Sequence, residues 1–268
     1  MESGNILFAL GLTIFAGLAT GVGSLMSFFS RKFNPKFLAG SLGFSAGVMI
    51  YVSLVEIFFK AKDSLTAYYE GKTGYRLTVL AFFIGIGIIA LIDKLIPNAE
   101  NPHEISNIEE LKKSKTSDKN LLRMGMFSAL AVGIHNFPEG LATFMGALTD
   151  PALGISIAIA IAIHNIPEGI AVSAPIYYAT GSRKQAFWLS FLSGLAEPVG
   201  AVIGYFVLRS IFTDATFGLI FAAVAGIMIY ISLDELLPTA EEYGEHHIAI
   251  GGLVAGMAVM AVSLLLFT

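Results

Sequence analysis

The chain has 268 residues, of which 55% are hydrophobic and only 13% charged, with a formal net charge of −4 and a mean hydropathy of +0.75. That is too apolar for a soluble domain, where charged residues run near a quarter, and the small negative charge offers no footing for nucleic acid. With no cysteine, disulfides, thiolate metal sites and cysteine nucleophiles are excluded together. A metal could be held only by His, carboxylate, amide or thioether groups, which suit zinc, iron, manganese or cobalt.

Eight mainly apolar stretches follow one another at 5–29, 37–60, 75–97, 121–147, 151–179, 185–210, 215–239 and 246–267. Each is long enough to cross about 30 Å of hydrocarbon as a helix. The first lacks a basic lead-in and is too long for a signal-peptide core, so it reads as a span. No stretch shows the two-residue alternation of a transmembrane barrel. The one sizeable polar segment, 98–120, is rich in Glu, Lys, Ser and Asn and reads as a flexible loop. The expected fold is an all-α polytopic membrane protein with eight transmembrane helices in a single domain, 1–268. Helices 1–3 occupy 1–97, the loop 98–120, helices 4–5 121–180, and helices 6–8 181–268.

Basic residues set the expected orientation. Arg31, Lys32, Lys36, Lys94, Lys112, Lys113, Lys115, Lys119, Arg123, Arg183 and Lys184 fall on one side; Lys60, Lys62, Lys72, Arg76 and Arg209 fall on the other. The positive-inside rule places the first set, and with it the 98–120 loop, in the cytoplasm, and both termini outside.

The chain also repeats itself. Residues 46–57, AGVMIYVSLVEI, read against residues 225–236, AGIMIYISLDEL, with eight of 12 positions identical. Ahead of each lies a weaker echo, GLATGVG at 17–23 against GLAEPVG at 194–200. Spans 1–3 therefore resemble spans 6–8. Because span 1 enters from outside and span 6 from inside, the halves are inverted about a central pair, an inverted 3+2+3 repeat. Inverted repeats with interrupted helices at the membrane midplane are typical of secondary transporters.

The central pair carries the chemistry. Its two helices hold His135-Asn136-Phe137-Pro138-Glu139-Gly140 and His164-Asn165-Ile166-Pro167-Glu168-Gly169. A charged side chain at the centre of a spanning helix costs on the order of 3 kcal/mol, so intramembrane ionisable groups are functional by default. Positions i and i+4 share a helix face, which aligns His135 with Glu139 and His164 with Glu168. Two imidazoles and two carboxylates brought together form a ligand set that fits a divalent metal. Asn136 and Asn165, with shared carboxylates, could hold a second ion, as bridging glutamates do in helical bimetal sites. Pro138 and Pro167 each leave a carbonyl four residues back without its donor and are expected to bend the helix there, so that the motif interrupts it.

Other polar residues join more loosely. Glu197, followed by Pro198 in span 6, could complete the second metal position, the alternative being a packing hydrogen bond. Glu56, one turn after Ser53 in span 2, could ligate metal or line the outer mouth. Its repeat partner Glu235, with Asp234, would form the cytoplasmic exit. The group Glu241, Glu242, Glu245, His246 and His247 reads as a solvated acidic loop, and Met49 and Met228 as packing residues.

With these residues in view, the chain resembles the ZIP (Zrt/Irt-like) divalent metal transporters, in particular the bacterial ZupT-type, close to the GufA-like branch. The paired motifs and Gly194-Leu195-Ala196-Glu197-Pro198 carry the resemblance, which runs over the whole chain. It implies eight helices with extracellular termini in the cell membrane. It implies uptake of zinc, and often of iron, manganese, cobalt or cadmium, into the cytoplasm, and commonly a homodimer. It also implies a binuclear centre, with His135, Glu139, His164 and Glu168 matching the first metal position. Asn136, Asn165, Glu139, Glu168 and Glu197 match the second. Two features depart from the pattern: the long loop has a single His, His103, where many eukaryotic members carry a His-rich run, and Glu56 stands where some branches place a His.

Two other classes compete. A channel could use the same ligands as a selectivity filter. An intramembrane metalloenzyme would want His-Glu-x-x-His on one helix, or paired Glu-x-x-His for a di-iron bundle; neither pattern occurs, and neither accounts for the repeat. The expectation is a transporter rather than an enzyme, with the metal as its substrate and the lipid bilayer as its surroundings.

Overall fold

The computed structural model describes residues 3–28, 34–70, 72–95, 117–208, 213–243 and 246–267; the side chain of His135 and of several neighbours in its helix lie outside that set. Among the described residues the regular structure is entirely helical. Helix α1 spans Ser3–Ser27. Helix α2, Pro35–Val52, opens where Asn34 accepts from the Phe37 N–H and Pro35 fills a first-turn position that needs no donor. It continues through a π-helical turn, Ser53–Ile57, into α3, Phe58–Tyr68. After α4, Thr73–Leu95, come the long central helices α5, Ser117–Thr149, and α6, Pro151–Thr180. Asp150 caps the start of α6, and Gly181, at φ 68°, takes the left-handed conformation that ends it.

The sixth span is two helices, α7 (Arg183–Gly194) and α8 (Ala196–Leu208), broken at Leu195. Pro198 has no N–H to give the Gly194 carbonyl, so the ladder lapses there. The seventh consists of α9, Asp214–Ile231, a second π-helical turn, Ser232–Leu236, and α10, Leu237–Tyr243; α11, His246–Phe267, is the eighth.

Three expectations change. The second span is not 37–60: its helix runs on to Tyr68, because Ala61 and Leu65 are buried against Gly218 and Ser64 donates to the Asp214 carbonyl. Helix α5 takes 117–120 from the expected loop, whose residues 98–116 lie outside the described set. The helices do not break at Pro138 or Pro167, which sit inside unbroken α5 and α6; neighbouring helices make prolines tolerable in such spans. The interruptions fall instead at Leu195 and at the two π turns.

Seven of the expected spans are long and apolar enough to cross a membrane among the described residues, at Asn5–Met26, Pro35–Tyr68, Thr73–Lys94, Pro151–Thr180, Arg183–Val207, Asp214–Glu241 and His246–Leu265. Leu7, Phe83, Phe206, Val207 and Val254 are among many large apolar side chains left exposed, as a hydrocarbon solvent requires and water forbids. The chain is an all-α polytopic membrane protein.

The helices fall into two groups. Helices α1, α5, α6, α7 and α8 pack on one another, as do α2, α3, α4, α9, α10 and α11; the seam between the groups is chiefly α2 on α6 and α9 on α5. Glycines allow backbones to touch, and their contacts repeat with the sequence. A Cβ at Gly47 would strike the Leu253 carbonyl, as one at Gly226 would strike that of Phe82; Gly256 faces the Phe44 carbonyl as Gly85 faces that of Ala223. Gly23 meets the Ile166 carbonyl as Gly200 meets that of Phe137, and Gly169 meets that of Thr20 as Gly140 meets that of Glu197. Gly17 and Gly194 meet each other, while Gly21 meets Phe191, so α1 and α7 run in opposite directions. The contacts thus recur at positions that the sequence repeat matches.

Candidate metal centre

The centre grows from the same close approaches. Gly140 and Gly169 bring α8 and α1 against the two motif helices at the level of the buried polar residues. Asn136, Glu139, His164, Asn165, Glu168 and Glu197 all have zero exposed surface. Unpaired polar groups at that depth cost several kcal/mol each, so where their bonds go decides what the site is for.

Each asparagine is anchored to the backbone of a neighbouring span. Asn136 Nδ2 donates to the Ser193 carbonyl at 3.3 Å and Asn165 Nδ2 to that of Ala16 at 3.0 Å, again a repeat-related pair. Asn165 also donates to Glu197 Oε1. His164 Nε2 lies 3.3 Å from Glu139 Oε2, joining the two motifs across the helix pair. Ser45 Oγ of α2 donates to Glu168 Oε1 at 3.1 Å, with the His164 carbonyl farther off at 3.4 Å.

Among the described residues of the two motifs and Glu197, four buried oxygens are left without a hydrogen-bond partner: Asn136 Oδ1, Asn165 Oδ1, Glu139 Oε1 and Glu197 Oε2. Glu139 and Glu168 both lie close enough to act electrostatically on Glu197. Three buried carboxylates so placed repel one another unless a proton or a cation intervenes. Acceptor-only oxygens with nothing to accept from are what a cation would coordinate.

The side chain of His135 lies outside the described residues. Among the described residues, no three His, Asp or Glu groups are gathered closely enough to form a metal cluster on their own; the convergence is of pairs, His164 with Glu139 and Asn165 with Glu197.

The looser candidates lie elsewhere. Ser53, fully buried with Oγ unpartnered, and Glu56, half-buried, belong to the first π turn. Eleven residues separate Glu56 from Ser45, about 16 Å along the helix, so Glu56 stands well away from Glu168. Asp234 and Glu235 occupy the second π turn, half-buried, with the Tyr230 hydroxyl bonded to Asp234. Glu241, near the end of α10, and His246, at the start of α11, form an exposed pair at 2.7 Å, so the group is solvent-facing as expected but lies largely on helix ends rather than in a loop; the side chains of Glu242 and Glu245 lie outside the described residues. Sequence reasoning missed Ser45 and also Thr20, the repeat counterpart of Glu197, whose buried Oγ1 has no partner. The repeat alignment was the signal that could have found Thr20; a lone serine in an apolar helix gave none.

Comparison with known proteins adds the lineage. The family model described as "ZIP Zinc transporter" matches residues 94–264, well over half of the chain. The chain belongs to the ZIP zinc transporter family. Its resemblance to ZIP relatives extends from end to end: it is 70% identical over 266 residues to the zinc transporter ZupT of Chlorobaculum parvum, covering 99% of each chain. It is 69% identical to that of Chlorobium chlorochromatii, covering 98% of this chain and 99% of the relative. To that of Clostridium perfringens it is 60% identical, covering 98% and 97%. ZIP membership, with the apolar helices, makes it a multi-pass membrane protein.

Proposed function

We propose that this chain takes up divalent metal, zinc first, across the cell membrane into the cytoplasm, through a binuclear site buried between its fourth, fifth and sixth spans. The observation that carries the reading is the set of four unpartnered, fully buried oxygens on Asn136, Asn165, Glu139 and Glu197 beside the His164–Glu139 pair. The close relatives, named as zinc transporters, support the same cargo.

In this reading His135, Glu139, His164 and Glu168 hold the first ion, and Asn136, Asn165, Glu139, Glu168 and Glu197 the second. Iron, manganese, cobalt and cadmium are further substrates, since N/O sites discriminate weakly among such metals. The eight spans form the inverted 3+2+3 repeat, with both termini outside and the 98–120 loop inside, and two copies assemble as a homodimer. Ser53 and Glu56 line the outer entry; Asp234 and Glu235, related to them by the repeat, line the cytoplasmic exit. Rocking one group of helices against the other would expose the site to each side in turn.

The test is zinc and cadmium uptake by purified protein in liposomes, for wild type, Glu139→Ala and His164→Ala, with bound metal measured on the same samples. Saturable uptake that both variants lose, with bound metal falling, is the expected result. Undiminished uptake in well-folded variants would sink the site assignment, and flux that never saturates would replace carrier by channel.

A further inference from the structure

The two motif glutamates are equivalent by sequence but not by surroundings. Glu168 receives a hydroxyl from the second span: Ser45 Oγ donates to Glu168 Oε1 at 3.1 Å, and both residues are fully buried. Residue 45 lies between positions whose counterparts the contacts identify, 44 with 223 and 47 with 226, so its own counterpart is Val224. Val224 is buried on α9, the helix that packs on α5 and hence on the glutamate-139 side. It has no proton to donate. Glu139 accordingly keeps Oε1 without a partner, and its Oε2 faces His164 instead.

Ser45 is also held firmly. Gly43 and Gly47, on either side of it in sequence, have the Ala249 and Leu253 carbonyls of α11 where a Cβ would stand. A donor on so constrained a helix has little freedom to follow a moving carboxylate. Its bond crosses the seam between the two groups of helices.

We propose that Ser45 is a positioning residue for metal binding: its hydroxyl fixes one oxygen of Glu168 and so sets how that carboxylate is presented to the ion, while Glu139, which has no such donor, is the less restrained of the two shared carboxylates. A hydrogen bond to a charged acceptor is worth enough that its loss changes metal affinity by about tenfold. This rests on the proposed metal site, and the experiment separates the two.

Zinc uptake kinetics and equilibrium zinc binding are measured for the full chain in liposomes as wild type, Ser45→Ala, Ser45→Thr, Ser45→Val and Glu168→Ala, with thermal unfolding on each. Thr and Val have nearly the same shape and differ in the hydroxyl. The expected result is a wild-type KM for Ser45→Thr, a KM raised about tenfold for Ser45→Val and Ser45→Ala with Vmax less affected, and zinc binding weakened in step. Equal KM values for Ser45→Thr and Ser45→Val, or wild-type zinc affinity in Ser45→Ala, would overturn the proposal while leaving the site standing if Glu168→Ala is inactive. Full uptake by Glu168→Ala would remove the site assignment and Ser45's role with it.

Discussion

His164 Nε2 lies 3.3 Å from Glu139 Oε2, 25 residues apart in the chain, so the two copies of one six-residue motif meet through unlike members. A histidine of the fifth span facing a glutamate of the fourth is what an inverted pair produces when its axis passes between them. The pairing joins an imidazole of one helix to a carboxylate of the other, which a single helix could not supply.

Truncating either member of that pair should therefore damage binding more than packing. Mutating even the outer-shell partner of a metal ligand typically costs ten- to a hundredfold in affinity, so Glu139→Gln and His164→Ala, which remove proposed ligands, should each raise the zinc concentration for half-maximal binding by at least about tenfold. Isothermal titration on detergent-solubilised protein reads this directly. Affinity within about twofold of wild type in both would show that zinc is held elsewhere.

The glycine contacts make a separate prediction about stability. A Cβ at Gly140 or Gly169 would overlap the Glu197 or Thr20 carbonyl, with no flexible side chain to give way. Gly140→Ala and Gly169→Ala should each lower stability by about 2 kcal/mol or more, the cost of overpacking a close helix contact, and uptake should fall with it. Gly11→Ala and Gly251→Ala place the same methyl in open space and should be neutral or slightly stabilising. Thermal unfolding of the four variants in one detergent checks the contrast; equal melting temperatures would mean the helices are not packed this tightly.

How much of this was legible beforehand varies by feature. The repeat and the motif were plain because both rest on identities, and most of the glycines that make the repeat pack were in the matched segments, Gly85 and Gly256 lying outside them. The two π turns were invisible, since a π turn leaves no mark on hydropathy and Ser-Leu-Val-Glu-Ile reads as ordinary helix. The tail of the second span at 61–68 was lost for a related reason: charged residues such as Lys62 and Asp63 end an apolar stretch without ending a helix whose Ala61 and Leu65 still face a partner. Pro138 and Pro167 misled, because proline's penalty is local and α5 and α6 are braced along their length. Ser45 carried no signal at all: its role depends on where a carboxylate 123 residues away happens to sit.

Orientation can be tested cheaply because the chain has no cysteine. Lys72→Cys and Lys184→Cys each introduce a unique thiol at an exposed position, one after the second span and one after the fifth. With the basic residues read by the positive-inside rule, an impermeant maleimide added to intact cells should label position 72 at once and position 184 only after permeabilisation. The reverse pattern would invert the whole arrangement and turn the proposed uptake pathway into export.

Acid should weaken uptake, and the sign follows from the ligands. Metal binds neutral imidazole and ionised carboxylate, and each proton those groups take up competes with it. The apparent KM for zinc should therefore rise as the pH falls from about 7.5 to about 5.5, with Vmax changing less. The side chains of His135 and His164 are the proposed origin. In His164→Ala, measured at zinc concentrations high enough to restore flux, the rise in KM over that interval should be shallower than in wild type. Uptake that accelerates in acid, in the wild type and in the variant alike, would point instead to protons moving with the metal and would place the pH response outside the imidazoles.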